Sequence, residues 1–206
     1  MRATKRILCS SASLLAAPLC VLLFASPANA QSIIRNPNPP KYKVEIEPHV
    51  SVAPDFYGYG GASFGLGARF SIPVMSPGFI RNINDSIAIS LGPDFVNYTG
   101  DNYTTCDPNG CTTYSAGGYW ALYSSVAMQW NFFLTRTWSV FAEPGLGWRH
   151  GFFNDAYCPG RCVGGVDTIY PTLWAGARVH FSDGLALTLR AGYPVFFSVG
   201  LSFFVL

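Results

Sequence analysis

The chain has 206 residues, of which 50% are hydrophobic and only 12% charged, and its 13 Lys and Arg against 11 Asp and Glu give a formal net charge of +2. So even a balance offers no basic patch for nucleic acid, and the charged fraction falls short of the roughly one quarter to one third that a soluble surface carries. Beyond residue 30 no apolar run reaches the ~18 residues of a helical span, so any membrane crossing has to be made by strands.

Residues 1–30 read as a secretory signal peptide: Arg2, Lys5 and Arg6 precede an apolar stretch from Ile7 to Phe24, and Ala28, Asn29 and Ala30 supply the small-residue end. A lipoprotein leader built on Cys20 is the competing reading, but Leu19 stands where a small residue is expected and apolar sequence continues beyond. Cleavage before Gln31 removes three basic residues and leaves 10 basic against 11 acidic ones. Residues 31–41 are then a Pro-rich lead-in, with Asn36 to Pro40 extended, and 42–206 form one domain.

Eight segments in that domain alternate with a two-residue period, which in a strand separates the side chains onto two faces. The first, 42–52, places Tyr42, Val44, Ile46, Val50 and Val52 on one face and Lys43, Glu45, Glu47 and His49 on the other. The second, 62–74, opposes Phe64, Leu66, Phe70 and Ile72 to Ser63, Gly65, Gly67 and Arg69. The third and fourth, 87–97 and 120–132, oppose Ile89, Leu91, Trp120 and Trp130 to Ser90, Asp94, Ser125 and Gln129. In 138–148 the apolar row ends on Leu146 and Trp148 while Glu143 faces the other way, with Arg149 following in the same parity. In 169–181, 185–193 and 195–205 the apolar rows run Leu173, Val179, Leu187, Leu189, Val195 and Phe203, against Arg178, His180, Arg190 and Ser202.

In this register none of the charges beyond residue 30 lies on an apolar face; they lie on polar faces, in connections or in the lead-in. Segments of this length match strands of roughly 9 to 11 residues tilted about 45° across a bilayer. Hydrocarbon leaves backbone groups unsatisfied, so a spanning sheet must close. The expected fold is all-β, an eight-stranded antiparallel up-and-down transmembrane β-barrel, with Trp and Tyr near the segment ends as interfacial girdles. A soluble barrel or sandwich would put the apolar rows inside and the charges outside. Long connections at 98–119 and 149–168, against tight ones at 133–137 and 182–184, place both termini in the periplasm of an outer-membrane protein. The connection 75–86 is long for that side.

Eight strands enclose a space just wide enough for side chains to fill. The inward acids Glu45, Glu47, Asp94 and Glu143 are expected to pair with Arg69, Arg149, Arg178 and Arg190, because a buried unpaired charge is costly. Tyr123, Phe141, Tyr170, Trp174, Phe196 and Phe204 add bulk, and His49 and His180 join the hydrogen-bonded network. The alternative is a narrow passive pore lined by the arginines.

Cys106 and Cys111 bracket Asp107-Pro108-Asn109-Gly110, a type I turn sequence, and Cys158 and Cys162 bracket another tight turn. An oxidising compartment favours disulfides, with local pairs preferred over cross-links between the two loops. The loop tips carry Tyr57, Tyr59, Tyr103, Tyr114, Phe152, Phe153 and Tyr157 among small residues, a composition suited to recognition of an unknown surface ligand. No cofactor or metal set is legible, since no histidine has a second ligand at a familiar spacing.

The carboxyl end, Val199-Gly200-Leu201-Ser202-Phe203-Phe204-Val205-Leu206, carries the most specific resemblance. With the eight-segment pattern, it is similar to the eight-stranded outer-membrane barrel proteins of Gram-negative bacteria, the group of the OmpA transmembrane domain, OmpX and the opacity adhesins. Those proteins usually finish on Phe or Trp; here Val205 holds that register and Leu206 is one residue extra. The resemblance implies outer-membrane lipid and the barrel-assembly machinery as partners, the latter through the last strand, and a non-enzymatic structural or adhesin-like role. It also admits a lipid-modifying enzyme, for which His150 with Asp155 is the candidate pair, though no serine stands near them in a recognisable motif.

Overall fold

In the computed structural model, eight of the ten strands among the described residues close on themselves. It describes residues 32–53, 63–99, 102–107, 110–115, 118–152, 167–195 and 197–206. In chain order the strands are β1 (Val44–Ala53), β2 (Ser63–Met75), β3 (Asp85–Tyr98), β4 (Asn102–Asp107), β5 (Gly110–Ser115), β6 (Tyr119–Phe133), β7 (Trp138–Phe152), β8 (Thr168–Ser182), β9 (Leu185–Tyr193) and β10 (Phe197–Val205). The barrel order is β1-β10-β9-β8-β7-β6-β3-β2. β1 and β10 seal the seam antiparallel, from Val44 opposite Val205 to Val52 opposite Phe197. No edge is left to present unpaired amides. An even number of up-and-down strands brings residues 44 and 205 to one end, called here the terminal end; the other is the loop end.

The alternation reads out directly as inside and outside. In β1, Glu45, Glu47, His49, Ser51 and Ala53 are buried while Pro48, Val50 and Val52 are exposed. Phe64 and Leu66 are each 67% exposed, whereas Glu143 and Arg190 are 1% exposed. A soluble barrel has the opposite arrangement. Apolar side chains turned out around a charged, closed interior are the arrangement of a transmembrane barrel.

Several positions differ from the sequence expectation. The connection 98–119 contains a two-stranded ribbon, β4 with β5, which pairs with itself and not with the barrel. Lys43 precedes β1 and is exposed, with Nζ donating to Leu206 O at 3.0 Å rather than joining the interior. Val195 is fully buried in the turn before β10 and packs with Trp174 inside, not on an apolar outer row. Phe152 closes β7 on its outer face instead of standing in a loop tip.

A further difference is Asp85. It shares the outward parity of Ile87 and Ile89 and lies opposite Phe132, so one acid does occupy the apolar face. It is nevertheless 0% exposed. The connection before β3 folds over it: Trp130 Nε1 donates to Oδ2 at 2.9 Å, Gly78 N to Oδ1 at 3.1 Å and Ile80 N to Oδ2 at 3.4 Å. Phe79 meets the Trp130 ring edge-on at 5.7 Å. Donors supplied by the protein replace the water that a carboxylate loses in an apolar setting.

The lead-in joins the same construction. Ile33 N donates to Leu134 O at 2.9 Å, Asn84 N to Ile34 O at 2.7 Å and Phe133 N to Asn84 O at 2.9 Å. Backbone bonds thus tie the lead-in, the β2–β3 connection and the β6–β7 turn together at the terminal end.

Candidate functional site

The barrel interior gathers its charged residues into a connected set. Arg190 faces Glu47 with both forks, Nη1 to Oε1 at 2.7 Å and Nη2 to Oε2 at 3.0 Å, and its Nε lies 3.0 Å from Glu143 Oε2. Arg178 Nη2 lies 2.8 Å from Glu45 Oε1, while its Nη1 donates to Asn131 Oδ1 at 2.7 Å. Ser202 Oγ donates to Glu45 Oε1 at 2.7 Å and Gln129 Nε2 to Glu143 Oε1 at 2.6 Å. Lone pairs on these carboxylates therefore meet N–H or O–H groups as well as cations. Such double satisfaction is what makes buried charge tolerable.

Asp94 anchors a second group. Arg69 Nη2 donates to its Oδ2 at 2.7 Å, and Arg69 Nη1 reaches Gly92 O at 2.8 Å and Ser125 Oγ at 2.6 Å. His49 Nε2 meets Asp94 Oδ1 at 2.6 Å and its Nδ1 meets Glu47 O at 3.2 Å, linking the two groups. His180 contacts Ser139 Oγ at 2.8 Å. Arg149 takes aromatic partners: its guanidinium lies 5.8 Å from the centroids of both Tyr119 and Tyr123, with Nη2 donating to Tyr119 Oη at 3.4 Å. The simple pairing of four acids with four arginines is thus replaced by Arg190 serving two acids and His49 joining Asp94.

Aromatic rings lie beside the network. The Arg178 and Arg190 guanidinium carbons lie 4.2 and 5.2 Å from the Phe141 ring centroid. Gly176 makes room there, because a Cβ at that position would overlap the Phe141 ring. Towards the loop end Tyr98, Tyr123, Tyr170, Trp174 and Val195 pack together, and Tyr98 and Tyr123 share a hydrogen bond between their hydroxyls. Gln129, Asn131, Ser125, Ser202 and Tyr98 are members outside the expected charge pairing; all sit on the inward parity, where the alternation places Ser125, Gln129 and Ser202.

At the loop end, His150 lies on the outer face of β7 between Trp148 and Phe152, and its Nδ1 meets Asp167 Oδ1 at 2.7 Å. The pair is therefore His150 with Asp167, while Asp155 lies outside the described residues. In the ribbon, Cys106 stands opposite Cys111 and Tyr103 opposite Tyr114. Gly110 has φ +147°, a conformation that side chains disfavour. Cys158, Cys162, Tyr57, Tyr59, Phe153, Tyr157 and Phe196 lie outside the described residues. Among the described residues no three His, Cys, Asp or Glu side chains gather as a metal site.

No family model matches the chain, and no curated protein matches it. Among solved structures it is similar to the Yersinia pestis outer membrane protein Ail in a phospholipid bilayer nanodisc, at 11% identity over 80% of this chain and 99% of that one, with a TM-score of 0.42. It is also similar to the crystal structure of Ail, the attachment invasion locus protein of Yersinia pestis, in complex with the heparin analogue sucrose octasulfate, at 12% identity over 78% of this chain and 95% of that one, with a TM-score of 0.41.

Proposed function

We propose that the chain is a non-enzymatic outer-membrane barrel with a filled interior, whose loop end makes surface contacts. The observation that carries this reading is the inverted polarity of the closed barrel, with exposed Phe64, Leu66 and Val126 outside and Glu45, Glu47, Arg178 and Arg190 within. Residues 1–30 act as the export signal, 31–41 as the lead-in and 42–206 as the barrel. Both termini lie in the periplasm, because the connections at the terminal end include the tight turns and those at the loop end include the long ones. The last strand, which seals the seam, is the part offered to the assembly machinery.

The filled interior is supported by the ion-pair network and by the aromatic cluster towards the loop end. Stepwise conductance in planar bilayers would contradict it and favour the pore. For the disulfides, Cys111 lies opposite Cys106 in the ribbon register, which supports local pairing, with Cys158 and Cys162 as the second pair. Among the described residues, His150 with Asp167 is an exposed pair with enzymatic chemistry in it. Its orientation between Trp148 and Phe152 suits an interfacial aromatic girdle better than a nucleophile's base. A changed acyl pattern in lipid A from cells lacking the gene would overturn that assignment.

The class of surface partner follows from charge. The connections at the loop end contain Asp55, Asp101, Asp107, Asp155 and Asp167 against Arg161 alone. A sulfated or phosphorylated polyanion is repelled by such a surface. The reading is therefore a neutral or cationic partner held by the tyrosines Tyr57, Tyr59, Tyr103, Tyr114 and Tyr157 with Phe153. Protein recovered from purified outer membranes is expected to show a heat-dependent gel shift. Binding to host-type surfaces should then be lost when the four loop cysteines are changed to Ser. Protein found only in the soluble periplasmic fraction would overturn the membrane reading.

A further inference from the structure

The terminal end carries an excess of exposed positive charge together with exposed apolar side chains, and neither the strands nor the interior network requires them there. Arg35, Lys41, Lys43, Arg81 and Arg136 are all exposed. The acids of the adjoining turns are Asp85, which is 0% exposed and held by Trp130 Nε1, and Asp183, which is exposed. Three of the cations come from distant parts of the chain and are brought to one rim by backbone bonds: Ile34 O accepts from Asn84 N at 2.7 Å and Ile33 N donates to Leu134 O at 2.9 Å. That joins the segments of Arg35, Arg81 and Arg136. None of the three is in an ion pair among the described residues. Beside them Phe79 is 55% exposed, Leu134 38% and Ile80 37%.

We propose that this rim is a binding surface for the phosphate groups of anionic glycerophospholipids in the leaflet at the terminal end, a reading that rests on the membrane barrel proposed above. The chemistry fits at two depths. Phe79, Ile80 and Leu134 flank the outward-facing Trp130 and continue the apolar band towards the headgroups, where aromatic and aliphatic anchors enter the acyl boundary. The guanidinium groups of Arg35, Arg81 and Arg136 then stand at headgroup level, where a planar fork matches two phosphate oxygens. Burying Asp85 under the same connection removes one carboxylate that would repel them from within the rim, leaving Asp183 in the adjoining turn against five exposed cations. Lys41 and Lys43 add general attraction, which acts over about a Debye length and weakens with salt.

The test uses the purified protein reconstituted in phosphatidylcholine vesicles carrying a trace of spin-labelled phosphatidylglycerol or spin-labelled phosphatidylcholine. Phosphatidylglycerol should be enriched roughly threefold or more in the motionally restricted shell at low salt, and the preference should fall towards unity near ~0.5 M salt. The R35Q/R81Q/R136Q variant should lose the preference while keeping the heat-dependent gel shift, and R35K/R81K/R136K should retain most of it. Equal shells of the two lipids around a gel-shifting wild-type barrel would overturn the proposal and leave the membrane reading intact. A preference unchanged in the Gln variant would overturn it too. No restricted lipid of either kind, with no gel shift, would instead sink the membrane reading.

Discussion

Glu47 and Val50 lie three residues apart on β1, yet they answer to different partners. Glu47 is held by both forks of Arg190 and is linked through that guanidinium to Glu143. Val50 is 56% exposed and touches whatever surrounds the barrel. The inward face is a set of specific matches in which each member needs its neighbours. The outward face needs only to be apolar, because lipid chains adapt to its shape. The interior should therefore be sensitive to small changes, and the exterior should be sensitive only to changes of polarity.

The sharpest break in that comparison comes from the interior. Replacing Arg190 by Ala leaves Glu47 and Glu143 buried without their cation, and the loss in stability should be about 3 to 5 kcal/mol. The midpoint of urea unfolding from vesicles reads it, and the triple change R190M/E47Q/E143Q should recover most of the loss. An exterior change of polarity comes next. Leu66→Arg or Val126→Arg should cost about 2 to 4 kcal/mol in the middle of the band, whereas Leu66→Ala should cost less than about 1 kcal/mol because hydrocarbon fills the space left. If Leu66→Ala proved as damaging as Arg190→Ala, the two faces would not be in different solvents. Smaller still is Asp85→Ala, which strands the Trp130 indole N–H and should cost about 1 to 3 kcal/mol in the same assay. The smallest effect belongs to Cys106→Ser with Cys111→Ser. The β4–β5 ribbon pairs only with itself, so barrel stability should change by less than about 0.5 kcal/mol, while limited proteolysis between residues 99 and 118 should speed up.

Much of this architecture is legible in parity alone. Glu45, Glu47, Arg69, Asp94, Glu143, Arg178 and Arg190 reach the interior because each shares its strand face with glycines and serines, and that alternation is a local property. Which cation meets which acid is not local. Arg178 meets Glu45 and Arg190 meets Glu47 because the stagger of the closed sheet sets β8 and β9 across from β1, and strand stagger leaves no mark in composition. Arg149 departs from the expectation for another reason: its cross-strand neighbour Tyr123 and nearby Tyr119 on β6 meet its guanidinium with rings rather than a carboxylate. The ribbon was missed for another reason. Thr104, Thr105, Thr112 and Thr113 favour strands, but without an apolar row they read as loop. Asp85 ran against its parity because the donors that accommodate it come from a connection and not from the strand pattern.

The ion pairs of the first strand also constrain the order of events during assembly. Glu45 waits for Arg178, 133 residues later, and Glu47 for Arg190, 143 residues later. Until those late segments arrive, the earliest hairpin has carboxylates without the cations that finally hold them. The chain must then be kept hydrated on one side until its last third is in place, so the locking of the inner charges and the closing of the cylinder belong to a single late event.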